Sequence, residues 1–274
     1  MKRIKSFALA SCSLLAASEW DGKLYHQNSS IQFQKGSAII NNWPFKGSEN
    51  ILDIGCGNGA LTGEIAKKTT GSVLGTDASG SMIAFAQHHY IQENLSFATI
   101  DATTLNFNQE FDLAFSFNCL HWIKDKQKVF DAVFKALKPG GKFVFLFSIK
   151  PPDRNYKLIT LATELKSNEY WKQYFPENHQ WPWYHEKQET IENMLTQSNF
   201  NIIELKSCYN GVPIENKENI IQHLLALSWL DPLSQEKQEQ FVRELIDSYL
   251  SEISGLENPH HYEAYQIYAV VTKP

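Results

Sequence analysis

The chain has 274 residues, 43% of them hydrophobic and 20% charged, with a formal net charge of −5. That length holds one large α/β domain, with or without a sizeable insertion, and that composition belongs to a soluble globular protein. The acidic balance, with no run of Lys and Arg, argues against a nucleic-acid substrate.

In chain order, Met1–Lys5 is basic and Ser6–Ala17 is apolar with small residues, which resembles a short secretory signal; Leu9-Ala10-Ser11-Cys12 even reads as a lipoprotein-type box. At about 12 residues the stretch is too short for the ~20 a membrane span needs. The other readings are a buried or amphipathic first helix, or a start placed too early. Residues 1–18 are therefore set apart as an apolar extension.

From Asn50 to Ser148 short β-rich runs alternate with helical patterns. Strands are predicted at Ile51–Ile54, Val73–Asp77, Leu95–Ile100, Phe111–Phe117 and Lys142–Phe147, and helices at Leu61–Lys68, Met82–His89 and Lys126–Leu137. The run FDLAFSF is apolar on both faces, as a central parallel strand requires. Lys138-Pro139-Gly140-Gly141 is read as a helix stop. A βαβ series of this kind makes a parallel sheet wound on both sides.

After Pro151-Pro152 the texture changes. Residues 155–198 read as helices rich in aromatics, from Tyr170 to Tyr184. A strand follows at Asn201–Tyr209, then helices at Glu218–Trp229 and Gln235–Ser254, and a last strand at Tyr265–Thr272. The organisation is thus 1–18, then 19–150 with an N-terminal helix and the binding core. Residues 151–274 supply helical lid insertions and the last two strands of the same sheet. Aromatics 170–184 are read mainly as core for the inserted helices, or else as a substrate-pocket wall, and Ile220–Trp229 as a helix buried by default.

In an open parallel sheet, ligands sit at the carboxyl ends of the strands. There lies Asp53-Ile54-Gly55-Cys56-Gly57-Asn58-Gly59, whose alternating glycines allow a tight turn and a close backbone approach. Gly55, Gly57 and Ala60 also satisfy the loose dinucleotide pattern, so the glycines alone leave a nicotinamide-dependent oxidoreductase open. Asp53 shifts the balance, because a negative charge there opposes a pyrophosphate but suits a ligand ammonium. Asp77 ends the second strand, where an acid can accept both hydroxyls of a ribose, and Asp101 follows the third, where it can accept from an adenine amino group. The four cysteines, Cys12, Cys56, Cys119 and Cys208, have no C-x-x-C spacing and support neither disulfides nor a zinc site. His179, His185, His260 and His261 have no metal-like spacing and read as surface or loop residues.

The segments ILDIGCGNG, VLGTDAS, IDAT, FDLAFSFNCLHWI and LKPGGKFVF together resemble the successive motifs of class I S-adenosylmethionine (SAM)-dependent methyltransferases. Tyr25-x6-Gln32 and Phe117–Trp122 make the chain most similar to the juvenile hormone acid and trans-aconitate methyltransferases. The resemblance implies a Rossmann-like seven-stranded sheet of order 3-2-1-4-5-7-6 with strand 7 antiparallel, and SAM as cofactor. Its cofactor set carries over to Asp53, Gly55, Cys56, Gly57, Gly59, Asp77, Ala78, Met82, Asp101, Ala102 and Asn118. In those acid methyltransferases a glutamine and a tryptophan at the positions of Gln32 and Trp122 hold the acceptor carboxylate. Tyr25 either closes over the methyl donor or packs the first helix. His121 is the base a hydroxyl, amine or carbon acceptor would use, or simply a satisfied core residue.

The expected reaction is O-methylation of a carboxylate on a small, lipid-like or carrier-bound acid. Methylation of another small molecule is the alternative within the class, and a non-catalytic SAM-binding module the alternative outside it. A cytoplasmic location is expected, since the cofactor is kept there, and stable membrane insertion is not.

Overall fold

The computed structural model describes residues 20–210, 212–213, 216–254, 261–262 and 264–274; the signal-like stretch lies outside them. Two short helices come first, α1 (Gly22–Asn28) and α2 (Ser30–Asn42), broken at Ser29 rather than continuous as the sequence suggested. The core then runs β1 (Ile51–Ile54), α3 (Ala60–Ala66), β2 (Val73–Asp77), α4 (Gly80–His89), β3 (Leu95–Thr99), β4 (Phe111–Phe117), α5 (Lys126–Ala136) and β5 (Leu137–Ser148). Beyond it lie α6 (Lys157–Ser167), α7 (Gln188–Gln197), β6 (Asn201–Tyr209), β7 (Val212–Pro213), α8 (Lys217–Leu225), α9 (Gln235–Ile253), β8 (His261–Tyr262) and β9 (Tyr265–Thr272).

Seven strands form one sheet in the order β3-β2-β1-β4-β5-β9-β6, with β9 antiparallel to both neighbours. This is the expected 3-2-1-4-5-7-6 arrangement. The small β7–β8 ribbon is an addition the sequence did not announce.

β4 earns its central place by having no face that tolerates water: Leu113, Ala114, Phe115 and Phe117 are buried. Its one buried polar side chain, Ser116, is satisfied by donating to the Ile54 carbonyl at 3.0 Å. One sheet face packs Leu52, Phe143, Phe145 and Phe147 against Val129, Phe130 and Val133 of α5 and Ile191 and Leu195 of α7. The other packs Ile51, Val73, Phe115 and Val144 against Ile40 of α2 and Ile65 of α3. A separate cluster ties α6, α8 and α9 into a lid around Trp171, Trp229, Phe241, Leu245 and Tyr249. Each such side chain contributes roughly 1.5–3 kcal/mol by leaving water, so the lid has a core of its own.

Three expectations need correction. Lys138–Gly141 does not merely stop a helix: β5 already starts at Leu137, paired with Phe111, and a register shift absorbs the glycines before Leu113 pairs with Lys142. Gly140 takes φ +77° there and donates its N–H to the Lys273 carbonyl. The aromatic stretch is also less helical than expected, because residues 175–187 between the turn Trp171–Tyr174 and α7 are irregular, with a turn closed by His179 N–H on the Pro176 carbonyl. Pro176 and Pro182 disfavour helix there. Finally, α8 ends at Leu225, and Trp229 folds back to donate its indole N–H to the Leu224 carbonyl at 2.8 Å.

Candidate active site

The loop after β1 puts Gly55, Gly57 and Gly59 at φ +68°, +54° and +79°, the left-handed region that favours glycine. Their surroundings differ. A Cβ on Gly55 would sit 2.1 Å from Cys119 Sγ, and one on Gly59 would sit 2.7 Å from Ala86 Cβ of α4. A Cβ on Gly57 would meet only the Tyr25 ring, at 3.6 Å. Gly55 and Gly59 are thus required by packing as well as dihedral, whereas Gly57 leaves open space.

Asp77, at the end of β2, fastens this loop. Its two carboxylate oxygens accept the backbone N–H of Gly57 and of Ser79, each at 2.9 Å. Burial raises its pKa, opposed by those hydrogen bonds. Asp101 caps the turn Ala102–Thr104 by accepting from the backbone N–H and hydroxyl of Thr103 at 2.8 and 2.7 Å.

These strand ends border a cleft of about 890 Å³ between sheet and lid. Tyr25, Gln32, Gly55, Gly57, Asp77, Ala78, Met82, Asp101, Ala102, Asn118, His121 and Trp122 all line it. Asp53 and Cys56 instead line a side recess that shares Tyr25, Gln32, Gly55, Gly57 and Asn118 with the cleft. Gly59 lines neither, and Cys56 packs with Ile83, Ala86 and Phe97.

The recess holds unspent polarity. Asp53 is 2% exposed and accepts from Thr62 Oγ1 at 2.7 Å. Burial pushes its carboxyl up to about 7, the Thr62 hydrogen bond opposes, and the Asp77 charge adds a little. Asn118, itself left-handed at φ +54°, gives its Oδ1 to Gln266 but keeps a buried Nδ2 without a partner. Gln32 turns its Nε2 toward His223 Nε2 at 3.5 Å and keeps a buried Oε1 without one. The tautomer explains this orientation. His223 Nδ1 lies 3.0 Å from the Asn28 carbonyl and must carry the proton, and burial keeps the ring neutral, so Nε2 is an acceptor.

The other end of the cleft is aromatic. Trp20 stands edge-on to Tyr25 at 5.6 Å and to Trp122 at 5.1 Å, and Trp183 continues the wall at 6.0 Å from Trp122 and 4.8 Å from Trp229. The aromatic segment therefore serves partly as core (Trp171) and partly as cleft wall (Trp183, Tyr184). The Trp122 indole N–H makes no hydrogen bond among the described residues.

His121 stacks on His185 at 5.9 Å; His185 is a loop residue, as one of the two sequence readings had it, but half-buried and facing the cleft. Burial holds the His121 pKa well below 6.5, with His185 and Lys126 reinforcing it, and burial brings His185 to about 4. The nearby Lys126 is fully buried and donates to the carbonyls of Ile123 and Tyr184 at 2.9 and 2.6 Å. It clamps the irregular 175–187 segment to the turn that carries Trp122. Trp20, Lys35, His185, His223 and Gln266 were missed as cleft residues in the sequence, whereas Trp183 fell in the aromatic stretch for which a pocket wall was one reading.

A doubly wound sheet with a cleft at the strand ends, a left-handed glycine loop after β1 and acids closing β2 and β3 defines a nucleotide-type α/β binding fold. Residues 51–141 match the family model described as a methyltransferase domain. The chain is 30% identical over 247 residues to protein 235L of Invertebrate iridescent virus 6, which bears the name of a methyltransferase, and the match spans 89% of this chain and 90% of that protein. It is 26% identical to the juvenile hormone acid O-methyltransferase of Drosophila melanogaster, over 83% of this chain and 82% of that one. The phosphoethanolamine N-methyltransferase 2 of Haemonchus contortus, solved with phosphomonomethylethanolamine and S-adenosylhomocysteine, shares the fold at a TM-score of 0.58 and 23% identity, over 88% of this chain and 53% of that one. The chain belongs to the SAM-dependent methyltransferases, and SAM is its cofactor. The nicotinamide alternative falls with that assignment. Among the described residues, no helix is long and apolar enough to cross a membrane.

Proposed function

We propose that this methyltransferase esterifies the carboxylate of a small or lipid-like acid. The observation that carries the reading is the state of His121. A hydroxyl, amine or carbon acceptor has to shed a proton and usually needs a base, whereas a carboxylate is anionic at neutral pH. His121 is half-buried beside His185 and near Lys126, and desolvation with those neighbours lowers its pKa, which makes it neutral but a poor proton acceptor. Beside it the spare indole N–H of Trp122 suits one carboxylate oxygen and leaves the other to attack.

The residues present fit the cofactor. The recess offers a carboxyl (Asp53), an orphaned acceptor (Gln32 Oε1) and an orphaned donor (Asn118 Nδ2), which complement a methionyl ammonium and carboxylate. Gln32 is thereby reassigned from acceptor to cofactor, because its free atom is an oxygen that would repel a carboxylate. Asp77 then suits the ribose, Asp101 and Ala102 the adenine, and Ala78 and Met82 the face between them. SAM supplies an electrophilic methyl on a sulfonium sulfur. The chain's own part is alignment, with Trp122 orienting the acceptor and the aromatic wall excluding water.

The test is an acceptor screen with radiolabelled SAM over fatty, dicarboxylic and terpenoid acids, followed by base treatment. Methyl esters release the label and methyl ethers or amines keep it. Transfer by His121→Gln should stay within about threefold of wild type, the size of a packing effect rather than of lost base catalysis, which is worth about 10²–10⁴. A base-stable product, or a loss of that larger size, would overturn the reading.

A further inference from the structure

Lys35 has no place in the chemistry so far. It lies on α2, lines the cleft and is partly buried, and burial lowers its pKa. It makes no ion pair among the described residues. Its ammonium spends one donor on Gln266 Oε1 at 2.7 Å, and that oxygen also accepts from Asn210 at 3.3 Å. Gln266 is 3% exposed and its Nε2 is tied to Asn118. The amide oxygen is therefore fully used and the group is fixed, and it holds the ammonium in one place with two donors unspent.

A desolvated cation without a carboxylate is costly unless something completes it. Its address indicates what that is. Gln266 sits on β9 and pairs with Ser148 at the end of β5. Across the sheet the acids of β3 and β2 come first, then the glycine loop of β1, then Asn118 after β4, then β5 and β9. Strands stand about 4.8 Å apart, so β9 lies roughly 14 Å beyond β1. Through Gln266 the Lys35 ammonium stands on the β9 side of Asn118, in a cleft that the apolar side chains of Leu227, Trp183 and Tyr249 also line.

We propose that Lys35 binds a second carboxylate on the acceptor, so that the preferred substrate is a dicarboxylic acid methylated at one end. The inference rests on the acid-methyltransferase reading but is tested by binding rather than transfer. The same ammonium chemistry could serve the cofactor's own carboxylate, and the arms of the experiment separate the two sources.

The full chain saturated with S-adenosylhomocysteine is titrated calorimetrically with hexanoate against adipate and decanoate against sebacate. Wild type should bind at least one diacid about tenfold more tightly than its monoacid partner, as expected for one charge-assisted contact. Lys35→Gln should remove that advantage while leaving monoacid and S-adenosylhomocysteine affinity within about twofold, and Lys35→Arg should restore most of it. The proposal falls if wild type shows no diacid preference, if the preference survives Lys35→Gln, or if Lys35→Gln weakens S-adenosylhomocysteine instead. A diacid held through Lys35 that yields no base-labile product would keep Lys35 as a carboxylate-binding residue and sink the esterification reading.

Discussion

The two ends of the cleft are built by different means. At the β1–β2–β3 end the binding surface is mostly backbone: glycines in left-handed dihedrals, N–H groups locked onto Asp77, and a turn capped by Asp101. At the β5–β9 end it is side chain, brought in from α1, α2, the Trp122 turn, the irregular 175–187 segment, α8 and β9. The first kind of surface cannot be altered one residue at a time without moving the chain, whereas the second can be re-tailored by single substitutions. A common cofactor at one end and a variable acceptor at the other are what that division of labour permits.

The comparison breaks first at Gly55. An alanine there brings a Cβ against Cys119 Sγ and a dihedral that L side chains rarely adopt. The strain is about 1–3 kcal/mol, and overpacking adds a term of similar size. Gly55→Ala should weaken SAM binding at least about a hundredfold by calorimetry, or lower the melting temperature by several degrees, while Gly57→Ala should cost less because only the Tyr25 ring is near. Equal effects at the two positions would mean that the loop is not packing-limited.

That difference was not readable in the sequence, which gave all three glycines one job. Strand limits were readable: β2, β4, β6 and β9 fall where the β-branched and aromatic runs predicted, because an apolar run bounded by Gly, Asp or Asn can do little else. The acids at the strand ends were readable too, since topology fixes where a strand's last residue points. The acceptor end was not. Lys35 meets Gln266 across 231 residues, and no periodicity encodes such a meeting. The 175–187 segment misled for a related reason: its aromatics mark burial, which helix and irregular chain share, and Pro176 and Pro182 alone favoured the latter.

A milder perturbation addresses the side-chain end. Trp122→Phe keeps a ring beside Trp20 and Trp183 and removes only the N–H. Losing one hydrogen bond to a charged group costs about 1.5–3 kcal/mol, so turnover on the acid should fall roughly ten- to a hundredfold with SAM affinity unchanged. If SAM affinity drops in parallel, Trp122 belongs to the cofactor end and the division is drawn in the wrong place.

The smallest expected effect sharpens the comparison through pH, because the recess at the β1 end contains one carboxyl, Asp53. In the cofactor-free enzyme burial holds the Asp53 carboxyl at about 7, above the ordinary 3.8, so between those values the folded chain binds the extra proton and its stability falls as pH rises through that window. A cofactor ammonium beside Asp53 favours the ionised form. Below about pH 7 binding must therefore expel the proton, and SAM affinity should rise with pH toward 7 and level off above it, by at most about tenfold per unit. Isothermal titrations at pH 6 and pH 8, in buffers of different ionisation enthalpy, would read both the several-fold change and the proton released. Asp53→Asn should bind weakly and equally at the two pH values, and should be more stable than wild type above pH 7 because nothing buried has to ionise. A variant that keeps the wild-type pH slope would locate the titrating group elsewhere and leave the methionyl ammonium without its proposed partner.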